Sequence, residues 1–324
     1  MLSDNGCSMK GLILSDIPKY MPASSKLRLF FALSRTPHAI LDLATPGLAA
    51  ILWLGTFPPM MTIILGLVTA FAGYTTVYAL NDVVDHRSDQ EKLRLGGFGD
   101  SKGDLDAILM RHPIARNMLS LKEGMVWVVA WAVLAFGGAY ILNPVCALIF
   151  ILGCLLEGVY CILLKVSHFR TFVSGAVKTS GGLAATFAVA PSPSASFLAI
   201  LFIWIFFWEI GGQNVPNDWA DMQEDVRLGA KTIPVQIGLE RSSLLILGSL
   251  SVAILANLLL LYAAPYRIEL PWMVASLLIG VYFLLVPALR LHKTKDRRHA
   301  SALFNRASFY PLALLIVIGV RSVL

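Results

Sequence analysis

Nine windows of mainly apolar residues, each about 20 long, recur along this chain at roughly 38–57, 60–80, 125–142, 144–164, 169–190, 196–215, 243–264, 270–289 and 303–323. A helix of that length crosses the hydrocarbon core of a bilayer, where every backbone polar group must find its partner within the protein. The pattern predicts an all-α, polytopic membrane protein with nine transmembrane helices. Only 14% of the 324 residues are charged, against about 25% in soluble domains.

Basic residues set the expected orientation, because Lys and Arg accumulate in cytoplasmic loops. Five precede the first window and seven lie between Arg87 and Lys122. Further clusters are Lys165 with Arg170, then Arg227, Lys231 and Arg241, and the run from Arg290 to Arg298. The intervening turns GTFPP, ILNP and APSPSAS carry no charge. This alternation predicts an inner (cytoplasmic) membrane protein with its amino terminus inside. Residues 1–35, with scattered charges around short apolar pieces and no small-residue cleavage site, read as a cytosolic or interfacial segment and not a signal peptide. Residues 36–324 read as a single intramembrane domain. The net charge of +6 is parcelled out among inner loops, which suits lipid headgroups and an anionic substrate and gives no reason to expect nucleic acid. Cys7, Cys146, Cys154 and Cys161 show no CxxC pairing, and the last three, all within one window, read as apolar packing residues.

The pattern Asn-Asp-x-x-Asp-x-x-x-Asp occurs twice, as NDVVDHRSD from Asn81 and as NDWADMQED from Asn217, each after an apolar window. On a helix, Asp82, Asp85 and Asp89 fall on one face, as do Asp218, Asp221 and Asp225. Hard oxygen ligands gathered in this way suit Mg²⁺, which takes one or two carboxylates and completes its shell with water and phosphate oxygens. Six carboxylates would repel a diphosphate at short range, so the reading calls for two Mg²⁺ ions together with basic groups near the stripes. Those groups are Arg87, Lys92, Arg94, Arg111, Arg116, Lys165, Arg170, Arg227 and Lys231. Asp42, Glu157, Lys178 and Glu209 fall within apolar windows, where charge is costly. They either line a cavity and orient or deprotonate a substrate, or form a structural ion pair or reach the interface. The glycine-rich stretch from Gly96 to Asp106 is either a lid or a plain connector.

Five segments carry a resemblance: SRTPHAILDLATP from Ser34 at the opening of the first span, NDVVDHRSD, RHPIARNMLS some twenty residues later, YCILLK at the end of the fourth window, and NDWADMQEDVRLGAKTIPVQIG after the sixth. Together they resemble the intramembrane prenyltransferases of the UbiA superfamily, from about residue 28 to the end. The resemblance implies nine helices around a central cavity, and a Mg²⁺-bound prenyl diphosphate donor held by Asn81, Asp82, Asp85, Asp89, Asn217, Asp218, Asp221 and Asp225. It also matches Tyr160 and Lys165 to the family's aromatic and basic positions. His112 stands where the family usually has Arg, with Arg111 or Arg116 as the alternative source of that cation. The implied reaction passes through an allylic cation, protected from water by the membrane-embedded cavity, and a carbon of a small-molecule acceptor attacks it. Trp204, Phe207 and Trp208 either line the donor's path or are lipid-facing or packing residues of their span. The expected acceptor is an aromatic quinone precursor such as a hydroxybenzoate or naphthoate. Relatives that prenylate a tetrapyrrole, a glycerol phosphate or a phosphoribose give the alternatives. An ion transporter is the competing class, but it calls for acids near the bilayer midplane, whereas these stripes sit at span ends.

Overall fold

The computed structural model describes residues 23–97, 105 and 108–324, and among these every regular element is helical. Short helices α1 (Ala23–Leu33), α2 (Thr36–Asp42) and α3 (Ala44–Leu54) lead into α4 (Met60–Val84) and α5 (His86–Arg94). Next come α6 (Leu121–Leu142), α7 (Pro144–Ile162), α8 (Arg170–Val189), α9 (Ala195–Trp208), α10 (Val215–Ala220) and α11 (Met222–Leu228). The chain closes with α12 (Ile233–Ala263), α13 (Leu270–Gly280), α14 (Val286–Thr294) and α15 (Arg297–Arg321). Wide π-turns at Glu209–Asn214 and Val281–Leu285 join α9 to α10 and α13 to α14, so each pair runs on as one span.

The boundaries follow local chemistry. Proline opens α2, α7, α12 and α13 within their first two residues, where its missing N–H costs nothing, whereas Pro216 and Pro287 follow the π-turns inside continuous spans. Asn143 caps α7 by accepting from the Val145 N–H, and Ser120 with Glu123 forms a capping box at the start of α6. Gly229 ends α11 at φ 72°, a left-handed conformation in which a side chain would be strained.

Every expected window is helical, but eight, not nine, of the spans are long and apolar enough to cross a membrane by length and composition. The difference is α8. It has 20 residues, enough for a crossing, but carries Arg170, Ser174, Lys178 and several Thr, Ser and Gly residues. Many of those polar groups face the protein interior, which lowers the apolarity of a span without exposing charge to lipid.

Consecutive spans pack side by side from α4 through α6, α7, α8 and α9 to α12; α14, α15 and α2 lead back to α4 and close the ring, and α3 lies against α8 and α15. A large apolar core fills the half formed by α3, α9, α12 and α15, with Trp204, Trp208, Tyr310 and Phe197 fully buried in it. α1 packs Leu29 and Leu33 against Val83 and Val128, and Trp127 donates to the Ser34 hydroxyl at 2.8 Å. Residues 1–22 of the expected amino-terminal segment, and with them Cys7, lie outside the described residues, as does most of the 96–106 stretch.

Candidate functional site

Both acidic motifs are built alike. In the first, α4 ends at Val84, Asp85 takes φ −82° and ψ 0°, and α5 begins at His86. In the second, α10 ends at Ala220, Asp221 takes φ −97° and ψ 6°, and α11 begins at Met222. The i to i+4 backbone bonds continue through both breaks: Asp85 N to Asn81 O at 2.9 Å and Asp89 N to Asp85 O at 2.9 Å, then Asp221 N to Asn217 O at 3.1 Å and Asp225 N to Asp221 O at 3.0 Å. Each motif is therefore a bent helical turn, not the straight stripe expected from sequence.

Asn81, Asp85, Asp89, Asn217, Asp218, Asp221 and Asp225 line one cavity of about 470 Å³. Asp82 is buried behind this wall. Five of the six aspartates have basic partners. Arg111 forks onto Asp221 at 2.7 and 3.3 Å, Lys92 Nζ meets Asp225 at 2.9 Å, and Arg170 reaches Asp218 at 3.3 Å. His112 Nδ1 lies 2.8 Å from Asp89 and 3.1 Å from Asp82, and Arg35 reaches Asp82 at 3.6 Å. Asp85 has no basic group at salt-bridge distance among the described residues.

Protonation follows these pairings. Burial and neighbouring Asp89 push the Asp85 carboxyl up to about 6. Burial acts to neutralise His112 as well, but Asp89 and Asp82 outweigh it and lift the imidazole to about 9. Burial would likewise raise Asp221, yet Arg111 holds it down at about 2. The carboxylates fit a hard divalent cation. Asp82 and Asp89 converge on the His112 ring, whose positive charge occupies a place that a cation would fill, and Asp218 Oδ2 is buried without a hydrogen-bond partner.

Supporting groups hold this arrangement. Asn81 donates to Glu157 at 2.7 Å and to Cys161 at 3.4 Å and accepts from Arg35 at 3.2 Å. Glu157 thus positions the first motif, and Cys161 does more than fill space. The Arg170 guanidinium stacks 4.0 Å above the Tyr160 ring, whose hydroxyl accepts from Asn214 at 3.1 Å. Sequence alone does not single out Arg35. Its φ of 45°, just before the Thr36-Pro37 helix start, turns the chain so that the side chain reaches Asn81.

Six expected diphosphate cations lie elsewhere; of these, Arg87 and Arg94 are exposed on α5 and do not line the cavity. Lys165 points outward and pairs with Glu91 at 2.6 Å, because the chain tightens into a single turn of 3₁₀-helix at Leu163–Lys165. Arg116 folds back, its Nε donating to the Arg111 carbonyl at 3.0 Å. Arg227 is exposed and donates to the Leu95 carbonyl at 3.3 Å. Lys231 is also exposed, its backbone N–H docking onto the Leu164 carbonyl at 2.8 Å. Nor do Trp204, Phe207 and Trp208 line the cavity. Their face of α9 is turned into the core, where Trp204 donates to Tyr310 at 3.3 Å and Trp208 to the Ala307 carbonyl at 3.0 Å. Lys178 does line the cavity, together with Asp42 and Glu209.

A family model described as the UbiA prenyltransferase family matches residues 43–310. A protoheme IX farnesyltransferase of Thermus thermophilus is 29% identical over 225 residues, covering 65% of this chain and 35% of that protein. The 4-hydroxybenzoate octaprenyltransferase of Pectobacterium carotovorum subsp. carotovorum is 26% identical over 185 residues, covering 57% of this chain and 63% of that protein. The chain therefore spans less than two thirds of the length of either relative. Among solved structures, a UbiA homolog from Aeropyrum pernix K1 superposes with a TM-score of 0.69 at 16% identity, covering 88% of this chain and 97% of its own. One from Archaeoglobus fulgidus, bound to DMAPP and Mg²⁺, does so with a TM-score of 0.63 at 17% identity, covering 90% and 99%. At these identities the two structures establish a shared fold.

Proposed function

The chain belongs to the UbiA prenyltransferase family, and on that premise we propose that it transfers an isoprenyl group from a prenyl diphosphate to an aromatic acceptor of the quinone-precursor type, such as a hydroxybenzoate or naphthoate. The observation that carries this reading is the convergence of both aspartate motifs on one cavity whose remaining wall is largely apolar. The acidic end suits a metal-bound diphosphate, and the apolar remainder suits a prenyl tail.

Asp82, Asp85 and Asp89 of one motif and Asp218, Asp221 and Asp225 of the other would hold two Mg²⁺ ions. When bound, the metal supplies Lewis-acid neutralisation of the diphosphate. Lys92, Arg111 and Arg170 already sit against these carboxylates and exchange part of that contact for phosphate oxygens as the donor binds. Asn81 and Asn217 flank the same end of the cavity. Departure of diphosphate breaks the C1–O bond and leaves an allylic cation. An acceptor carbon then bonds to C1 and releases its ring proton, and the apolar walls keep water from competing. The orientation that agrees with the basic loops places this end of the cavity at the cytoplasmic face.

Asp85→Ala and Asp221→Ala test the reading most directly. Each is expected to lower Mg²⁺-dependent product formation by at least about 100-fold while leaving a folded, membrane-inserted protein. Product at wild-type levels from either variant would overturn the assignment. Assays pairing one labelled donor with hydroxybenzoate, dihydroxynaphthoate, tetrapyrrole, glycerol phosphate and phosphoribose acceptors, read by product mass, decide the acceptor. The donor-bound Archaeoglobus fulgidus homolog and the 4-hydroxybenzoate octaprenyltransferase relative support this choice of probes.

A further inference from the structure

Deeper in the same cavity, a second polar cluster interrupts the apolar wall. Asp42 on α2, Tyr74 and Tyr78 on α4, Ser174 and Lys178 on α8, and Glu209 all line it. Lys178 Nζ donates to Asp42 Oδ2 at 2.7 Å and to the Tyr78 hydroxyl at 3.3 Å, and that hydroxyl donates to Asp42 Oδ2 at 2.5 Å. Across the cavity, the Ser174 hydroxyl donates to Glu209 Oε1 at 2.7 Å. Glu209 Oε2 accepts no hydrogen bond and stands 3.9 Å from Lys178 Nζ. The Tyr74 hydroxyl oxygen is also buried without a hydrogen-bond partner.

Asp42 is 2% exposed and Glu209 7%, so bulk water does little to screen either carboxylate. Two carboxyl groups share one lysine here, and His38 stands 3.8 Å from Asp42. The cluster leaves one carboxylate oxygen without a donor and the Tyr74 hydroxyl without a partner, and a buried polar atom left unsatisfied is costly. A ligand hydroxyl supplies the missing donor. A ligand carboxylate or phosphate at the same place meets like charge. Lys178 lies eight residues along α8 from Arg170, about 12 Å by helical rise, and Arg170 pairs with Asp218 of the second motif. The cluster therefore sits beyond the diphosphate end by a distance that accommodates an aromatic ring.

We infer that Asp42, Lys178 and Glu209 form the acceptor subsite, and that it receives a hydroxyl-bearing ring, hydroxyl first, with any carboxylate or phosphate turned away from it. The inference rests on the prenyltransferase reading and adds the acceptor's chemistry and direction of entry.

The experiment uses the purified full chain with Mg²⁺, geranyl diphosphate, and either 4-hydroxybenzoate or 1,4-dihydroxy-2-naphthoate, each beside its O-methyl ether. Wild type is expected to prefer the free hydroxyl by at least about tenfold in kcat/KM. Glu209→Gln and Lys178→Met are expected to raise the acceptor KM by about tenfold or more, leave the donor KM within about twofold, and shrink the preference for hydroxyl over ether. Equal use of ether and phenol by wild type, or losses that fall on the donor KM, would overturn the inference. So would a lowered melting temperature in the variants with the hydroxyl preference intact, which marks a purely structural ion pair. If neither phenol is turned over while geranyl diphosphate still binds in a Mg²⁺-dependent manner, the acceptor inference falls and the donor-site reading stands. Loss of that binding as well would remove the prenyltransferase reading itself.

Discussion

His112 shows how much a single residue decides here. Its imidazole sits between Asp82 and Asp89 and supplies positive charge to two buried carboxylates in the metal-free protein. Removing one member of a buried, hydrogen-bonded charge group costs about 3–5 kcal/mol, because the remaining charges are left uncompensated. His112→Ala should therefore lower the melting temperature in chelator, and added Mg²⁺ should raise it more in the variant than in wild type, since the metal then supplies the missing charge. An equal response to Mg²⁺ in both proteins would contradict this. The eight motif residues are legible in the sequence because their spacing repeats and each triplet falls within one helical face. The pairing of His112 is not legible: it depends on a loop more than twenty residues away folding under α5, and loop direction leaves no periodic trace. For the same reason sequence proximity alone puts Lys165, Arg116, Arg227 and Lys231 in the site, whereas the turns that carry them point their side chains elsewhere.

At the scale of elements, the π-turn at Glu209–Asn214 performs two tasks. It carries Glu209 into the cavity and delivers Asn214, Asn217 and Asp218 to the acidic end. The widened backbone also brings Gly211 close to α12, where an added Cβ would meet the Ile246 carbonyl oxygen at 3.0 Å and the Ser249 Cβ at 2.9 Å. A backbone oxygen cannot swing aside as a side chain can, so Gly211→Val must push α12 outward and tilt the second motif. The expected cost is about 1–3 kcal/mol, read as a lower melting temperature, with a fall in turnover although residue 211 does not line the cavity. Full activity with an unchanged melting temperature would show that the turn does not set the motif's position. Neither the π-turn nor the bends at Asp85 and Asp221 are legible, because apolar spans lack the amphipathic period that would mark a change of register. The uniform apolarity of α9 also hides which face carries Trp204 and Trp208. In α8 the failure runs the other way: its cavity-facing Lys178, Ser174 and Arg170 are functional candidates and at the same time the reason the helix reads as the least membrane-like of the set.

Over the whole molecule, charge placement and cavity polarity point the same way. The motif ends of α4 and α10 share a side of the helix ring with the Arg-rich segment before α6, whereas the opposite side carries the uncharged turns at Leu142–Pro144 and around Ser192. Positive charge retained on the cytoplasmic side and a diphosphate that cannot cross lipid unaided call for the same orientation. Two single-cysteine variants test it, each in a background with the native cysteines replaced by serine. Lys122→Cys lies at the exposed start of α6 on the motif side, and Ser192→Cys in the exposed turn before α9 on the other. In intact cells an impermeant maleimide should label residue 192 and leave residue 122 untouched until the membrane is opened. The reverse pattern would place both aspartate motifs outside the cell. There the basic loops would contradict their usual placement.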